Sequence, residues 1–404
     1  MPPRAGLTRR TILQTAAAAA TAPVVIRPAS AAADPIKVGM PLALTGPVGS
    51  VGGQLRRACE FWAKQVNAKG GLLGGRQIQL LIEDTGGNPA TTVRKAQEMV
   101  ERDGVRLLTA IAASNEALAT VPKLAEWDAI FVSGDNGDGR LTGESLVPNF
   151  FRPNVSGPMG TRTVALWLRD SSLKSFYALG MDYAWGHNSI DVFKDEVKKA
   201  GRNFIGDVYS PMGTKDFSTY ITKIRQSGAD AVYLVLSGDD YNAFLSQAKQ
   251  YRLGDKVTML TELVDEMVLQ ATGDASLGLV GGSRYPNTLD NPQNKAFVAA
   301  WKAEYGREPY MFEGDQYQSC VVMQAGIEKA GSIEAAKLRA ALEGLTVNSI
   351  KGPITIRACD HQAEQPGFVV KVEKDETGKP VPKVIATYPA AKVTPPCNKM
   401  TYND

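Results

Sequence analysis

Only two histidines, His187 and His361, occur in the 404 residues. Neither stands in a Cys/His spacing that would hold zinc. No nucleophile–base–orienter set of the kind a hydrolase needs can be assembled around them. Both read as exposed loop residues, and no metal, cofactor or catalytic chemistry is expected. Of the four cysteines, Cys59 and Cys320 fall in helical runs and read as buried free thiols. Cys359 and Cys397 lie in Gly-, Pro- and Asp-rich surroundings, and in an oxidising compartment these two are expected to pair. The stretch best suited to holding an anion is Thr45-Gly46-Pro47-Val48-Gly49-Ser50-Val51-Gly52-Gly53. It lies between an apolar run and a helical pattern, where free N–H groups and the helix dipole favour negative charge. It lacks the Gly-Lys-Ser/Thr ending of a phosphate loop and the GxGxxG fingerprint. Two readings stand: a turn that only connects, and a turn that receives a carboxylate.

The elements around that loop form a strand–loop–helix–strand unit. Ile36 to Leu44 is a short apolar run. Leu55, Ala58, Cys59, Trp62 and Val66 then recur on one helical face. Gly70-Gly71 stops the helix, and Gln77 to Ile82 is the next strand. The rhythm continues with a helix from Asn88-Pro89, strands at Val105 to Ile111 and Ala129 to Val132, and a helix at Glu116 to Glu126 kinked at Pro122. Phe150 to Asn154 reads as a crossing. A second series follows, with strands at Ser175 to Leu179, Phe204 to Tyr209, Ala231 to Leu236 and Lys256 to Leu260, and helices between them. Three helices and three strands complete the chain. The fold class expected is α/β, two doubly wound parallel-sheet lobes joined by a three-segment hinge. The lobe boundaries expected are 34–153 plus 286–360 and 154–285 plus 361–404. In such sheets ligands bind beyond the carboxyl ends of the strands. The loops there, 45–53, 112–115 and 133–139 in one lobe and 180–187, 237–241 and 261–265 in the other, would face one another across a cleft.

Residues 1–33 read as an export signal. Arg9-Arg10 stands in a twin-arginine pattern, an Ala-rich apolar stretch follows, and Ala29-Ser30-Ala31-Ala32-Ala33 offers cleavage after Ala33. Those residues hold four arginines and no acid; without them 41 basic residues face 42 acidic ones, a net charge of −1. Nothing in that balance points to nucleic acid or an anionic membrane.

The sequence resembles the periplasmic solute-binding proteins of branched-chain amino acid ABC transporters, the leucine/isoleucine/valine-binding type. The residues that carry this are Ile36-Lys37-Val38-Gly39, Leu44-Thr45-Gly46-Pro47, Val66 to Gly75, Asp182-Tyr183-Ala184-Trp185-Gly186, Lys215-Asp216-Phe217-Ser218 and Gln247-Ala248-Lys249…Leu253. The resemblance implies two lobes closing on a small carboxylate-bearing ligand and delivery to an ABC permease in the inner membrane. It also implies a monomer in the periplasm. It places Ser114, beside Asn115, at the ligand carboxylate, and Trp185 as an aromatic cover. Asp135 and Gly137, flanking Asn136, stand where the family has a carbonyl and a Thr, so a hydroxyl is lost and a carboxylate gained. Ser237 stands where a further aromatic is common. Glu262 best matches the acid that takes the ammonium, and Phe312 joins Trp185 over the apolar part. Asp182 belongs to the same cleft-facing loop as Trp185. Structural roles stay open for several: Ser114 and Asp182 as helix caps, Asp135 as a turn residue. The ligand expected is an aliphatic amino acid, with an aromatic or keto carboxylate as the alternative. From another class, a ligand-sensing receptor or repressor domain would bring a transmembrane helix or a DNA-binding domain, and neither pattern is present.

Overall fold

The computed structural model describes residues 34–402, besides Met1. The expected signal peptide and its cleavage site lie outside the described residues. The first sheet is built from β1 (Ile36–Leu42), β2 (Ile78–Asp84), β3 (Leu107–Leu108), β4 (Ile130–Val132) and β5 (Phe150–Phe151). They lie parallel in the order β2-β1-β3-β4-β5. β1 is buried at nearly every position because helices cover both faces. A methyl on Gly39 would meet Leu108 Cδ2 at 2.9 Å and Met99 Sδ at 3.0 Å, so glycine here lets the helix Pro89–Glu101 sit down on the strand.

The second sheet holds β6 (Ser175–Met181), β7 (Asn203–Ser210), β8 (Ala231–Val235), β9 (Thr258–Thr261) and β10 (Val280–Ser283). After the small three-stranded sheet of β11 (Thr346–Ser349), β12 (Gly352–Ile356) and β13 (Ala363–Glu364), the chain adds the hairpin β14 (Gly367–Lys374) and β15 (Pro380–Tyr388) to the second sheet. The order is β15-β14-β10-β9-β8-β6-β7, antiparallel only at β14 and β15. The fold is thus α/β with two doubly wound lobes, as the sequence pattern predicts. β10 and the helix Glu266–Thr272 go beyond that pattern: Gly281-Gly282 in β10 weakens its strand signal. A methyl on Gly281 would lie 2.7 Å from the Thr261 carbonyl oxygen, and one on Gly282 2.4 Å from that of Glu262. The backbone therefore passes where only glycine fits.

Three helices start on a polar cap followed by proline. Asn88 accepts from the Thr91 N–H at 3.0 Å, Ser156 from Met159 at 3.3 Å and Asn291 from Asn294 at 2.8 Å. The helices Gly49–Ala68, Pro292–Tyr305 and Met311–Ala330 pack through an aromatic group: Phe297 stacks on Tyr317 at 4.2 Å, with Phe61 and Trp301 beside them. Each such ring contributes about 1.5–3 kcal/mol on burial.

The chain passes between the sheets after Phe151, after Ser283 and between β13 and β14. The first and third passages are tied side by side. The Arg152 N–H donates to the His361 carbonyl at 3.0 Å and the Ala363 N–H to the Arg152 carbonyl at 3.0 Å. Gln318 and Gln365 both donate to the Pro153 carbonyl, at 3.0 and 2.8 Å. His361 is buried here, stacked on Phe151 at 4.1 Å, and His187 lies on the helix Ala184–Lys199. The expectation of exposed loop positions therefore holds in part for each: His187 is exposed but helical, and His361 is in a loop but buried.

Cys359 and Cys397 form a disulfide, and Cys59 and Cys320 are buried and free, as expected. The disulfide closes a loop of sequence separation 38, worth about 4 kcal/mol in the chain-entropy account. Replacing both cysteines by serine should lower unfolding stability by up to about 4 kcal/mol. In the native protein the two remaining thiols should be silent to a thiol reagent and titrate only on unfolding. Rapid labelling of both in the folded state would show that their burial is wrong.

Candidate functional site

The carboxyl ends of the two sheets meet around a small cavity, about 20 Å³ in the shut form. Most of its walls come from loops the sequence pattern points to, and Arg284 and Phe312 come from outside them. Val48 and Val51 enter from the start of the first helix, Ala112 and Ser114 after β3, and Asp135 and Gly137 after β4. Tyr183 and Trp185 enter after β6, Ser237 after β8, Leu263 after β9, Arg284 after β10, and Phe312 from the helix Met311–Ala330.

Helix formation begins at Gly49, inside the glycine-rich loop, so the loop presents the apolar Val48 and Val51 to the cavity. Its nearby donors are already used. Asp84, at the end of β2, accepts from Leu44 N at 2.9 Å, Thr45 N at 3.2 Å, Gly86 N at 3.0 Å and the Thr45 hydroxyl at 2.7 Å. Desolvation opposes the Asp84 charge, but those four donors outweigh it and hold its pKa at about 2.

Ser114 is buried at the first position of the helix Ser114–Thr120. Its Oγ accepts from Gly137 N and Asp138 N, both at 3.1 Å. The hydroxyl oxygen thus positions the β4 loop, and the O–H remains a donor. Gly137 in turn lies under Trp185, where a methyl would be 2.5 Å from indole Cδ1. Trp185 is on the second residue of the helix Ala184–Lys199, not in a loop as the sequence pattern predicts, and its indole N–H has no hydrogen-bond partner among the described residues.

The centre of the site is Arg284, a residue sequence reasoning did not single out. It is only 3% exposed. Its Nη1 donates to the Asp135 carbonyl at 2.6 Å and to Asp135 Oδ1 at 3.1 Å, and its Nη2 lies 3.5 Å from Glu262 Oε2. The guanidinium carbon is 6.0 Å from the Trp185 ring and 5.7 Å from the Phe312 ring. Behind it, Lys351 donates to the Arg284 carbonyl at 3.0 Å and to Asp315 Oδ1 at 2.6 Å, both side chains fully buried. Burial works against the Arg284 charge, but Glu262, Asp135 and Asp315 outweigh it and push its pKa up. Burial pushes Asp135 to about 7 and Glu262 to about 7, each against the pull of Arg284. Glu262 fits only because position 160 is glycine: a methyl there would be 2.2 Å from Glu262 Oε1. The sequence signal that could have found Arg284 is its place at the end of β10, just before Tyr285-Pro286 and the second passage.

Of the residues predicted for the site, Ser114, Asp135, Gly137, Trp185, Ser237 and Phe312 line the cavity, and Glu262 reaches it through Arg284. The structure does not bring the others there. Asn136 is held in the loop by its own contacts, donating to the Ile111 carbonyl at 3.0 Å and accepting from Ser133 Oγ at 3.0 Å. Asn115, one residue along the helix from Ser114, is absent from the cavity wall. Asp182 points to solvent, with its side chain 55% exposed and 2.7 Å from His187 Nε2. Hydration and the contact with the His187 ring already satisfy that carboxylate.

The lobes are shut over the cavity. Gln54 donates to Asp265 Oδ2 at 2.9 Å, the Gly139 N–H to Asn188 Oδ1 at 2.8 Å and the Met311 N–H to Glu266 Oε2 at 2.7 Å, each bond joining elements of opposite lobes. A two-lobed fold with a small cavity where the lobes meet fits a protein that captures a solute by closing on it.

The comparisons place it further: a family model described as periplasmic binding protein matches residues 35–378, and the chain belongs to that family. It is similar to the Leu/Ile/Val-binding protein homolog 6 of Brucella abortus, 25% identical over 369 residues, covering 89% of this chain and 93% of that one. It is also similar to the leucine-, isoleucine-, valine-, threonine- and alanine-binding protein of Pseudomonas aeruginosa, 26% identical over 358 residues, covering 86% and 92%. Among solved structures, an ABC transporter solute-binding protein of R. palustris in complex with 4-hydroxybenzoate aligns with a TM-score of 0.81 at 25% identity, over 88% of this chain and 97% of that one. This is a solute-binding protein of the ABC transporter type. Such proteins bind small molecules and work with a membrane permease, and family membership implies the periplasm.

The buried acids set how the empty protein responds to pH. Besides Asp135 and Glu262, burial raises Asp265 to about 6. A carboxyl whose pKa is higher folded than unfolded binds more protons in the folded state. It therefore lowers stability as pH rises from about 4 to its folded pKa. The unliganded protein should melt at a higher temperature at pH 5 than at pH 7.5, and Glu262→Gln should reduce that difference. A melting temperature that rises from pH 5 to 7.5 would contradict these burials.

Proposed function

We propose that this protein captures a small carboxylate lacking an ammonium group, an aromatic or 2-keto acid, for an ABC importer. The observation that carries the reading is Arg284, which already stands as the cation between Asp135 and Glu262. Asp135 is hydrogen-bonded by that cation, while Glu262 is paired with it only at 3.5 Å and its two oxygens have no hydrogen-bond partner among the described residues. The donors left over suit a carboxylate: the Ser114 O–H and Arg284 Nε, the latter unpartnered among the described residues, while the indole N–H of Trp185 is close enough to Glu262 to favour its charge. Val48, Val51, Leu263, Trp185 and Phe312 supply apolar and aromatic walls; the shut cavity is only about 20 Å³, so the walls must part to seat a ligand between them. The 4-hydroxybenzoate carried by the R. palustris relative supports the same class.

An aliphatic amino acid is the second reading. It is favoured by the names of the curated relatives. The immediate cluster also favours it, with three acids, Asp135, Glu262 and Asp315, against two cations, Arg284 and Lys351. A thermal-shift series with benzoate, 4-hydroxybenzoate, 4-methyl-2-oxopentanoate and leucine decides between them. A ligand at 100 times its Kd stabilises by about 2.7 kcal/mol. Stabilisation by the acids and not by leucine is expected, and the reverse would reject the proposal. Arg284→Gln should weaken the acids by about 2–5 kcal/mol, the cost of removing one partner of a buried charged pair. Ser114→Ala, a milder change, should cost about 1 kcal/mol.

Export by the twin-arginine route is part of the same reading, with Arg9-Arg10 and the cleavage site after Ala33 as its support. The mature protein isolated from periplasm should begin at or near Asp34. A protein starting at Met1 or Pro2 in the cytosol would refute it.

A further inference from the structure

In the shut site one guanidinium already serves two carboxylates. Asp135 Oδ1 is 3.1 Å and Glu262 Oε2 3.5 Å from Arg284, and all three side chains are less than a tenth exposed. Seating a ligand carboxylate on the same guanidinium would gather three anions around one cation in a place closed to water. Like charges that close cannot all remain ionised in a dry site, and the usual relief is a proton on one of them.

The other charged groups around the cluster do not supply that relief. On the helix Met311–Ala330, Asp315 is neutralised by Lys351, which comes from the turn between β11 and β12. Arg152, at the first passage, donates to the Asp138 carbonyl, with the Asp138–Arg140 and Asp360–Arg357 pairs around it. Asp265, heading the helix Glu266–Thr272, is a further acid and is bonded to Gln54. The phenols of Tyr183, before the helix Ala184–Lys199, and Tyr233, on β8, are held protonated by burial.

We infer that capture of an anionic carboxylate at Arg284 is coupled to the uptake of one proton by the Asp135–Glu262 pair, so that the protein takes up the acid and a proton together. The inference rests on the carboxylate reading of the site. While the lobes are shut, burial sets both acids to titrate at about 7 even before a ligand is added. An added anion raises them further, so above pH 7 binding must bring in the proton that the empty protein lacks. Affinity then falls as pH rises, by up to tenfold per unit, since one pKa unit is a tenfold change. Below about pH 6 the pair is protonated beforehand, so uptake vanishes and affinity levels off. A zwitterionic amino acid would give the opposite sign. Its ammonium needs the acids ionised, so binding would release a proton and tighten as pH rises through 7.

The test is titration calorimetry of the mature chain with benzoate, in phosphate and in Tris at the same pH. The different ionisation enthalpies of the two buffers report the protons exchanged. Uptake approaching one proton at pH 8, little at pH 5.5, and a Kd up to about 100-fold weaker at pH 9 than at pH 7 are expected. Benzoate binding with no buffer dependence at pH 8, or with a Kd constant from pH 7 to 9, would overturn the coupling and leave the carboxylate reading standing. Absence of binding by benzoate and 4-methyl-2-oxopentanoate alike would overturn that reading and the coupling with it. Glu262→Gln, a neutral stand-in for the protonated acid, should bind benzoate at pH 8 as well as the parent or up to about tenfold better, with reduced uptake. Weaker binding with uptake unchanged would assign the proton elsewhere and overturn the role of the pair.

Discussion

A guanidinium closed off from water between two lobes is the constraint on which the site depends. A buried cation needs partners, and the fold supplies them from separate places in the sequence. Asp135 comes from the loop after β4, Glu262 from the end of β9, and Arg284 itself from the end of β10. The main chain of Arg284 is held by Lys351, and Lys351 by Asp315. Three glycines make the arrangement possible: Gly160 leaves room for Glu262, and Gly281 and Gly282 let β10 run against the end of β9. Removing Arg284 would strand Asp135 and Glu262, and removing Lys351 would strand Asp315, the costly outcome in a buried network.

The same residues link the site to closure. Asp135 belongs to the first lobe and Glu262 to the second, while Arg284 sits on the passage between them. The hydrogen bonds of Gln54 to Asp265 and of Gly139 to Asn188 close the lobes around it. Opening would break those bonds and hydrate the charges. A ligand that engages Arg284 only in the shut form therefore shifts the population toward that form, by as much as its affinities for the two forms differ. For an importer's solute-binding protein, that difference is what lets a permease distinguish loaded from empty.

Much of the architecture is legible in the sequence because it follows from periodicity. The alternating strands and helices, the Asn88-Pro89 helix start, and the polar loops at the strand ends locate both sheets and the cleft. The cysteine pairing follows from surroundings and compartment. What escapes is set by tertiary contact. Gly281-Gly282 reads as a break and is a strand, because close approach to Thr261 and Glu262 requires glycine there. Arg284 reads as one arginine among many, since its burial depends on acids 149 and 22 positions away. Asn136 and Asp182 have the right residue type and loop, but a neighbouring carbonyl and a histidine engage their side chains. Local pattern places a residue near a site, and only the fold settles which way its side chain turns.

The central claim is that Arg284, and not an acid, anchors the ligand. The most direct measurement is a crystal structure of the protein with benzoate or 4-methyl-2-oxopentanoate bound. The account predicts the ligand carboxylate at hydrogen-bond distance, about 3 Å, from the Arg284 guanidinium and the Ser114 Oγ, between the rings of Trp185 and Phe312. A carboxylate held elsewhere, with Arg284 still engaged only by Asp135 and Glu262, would contradict it.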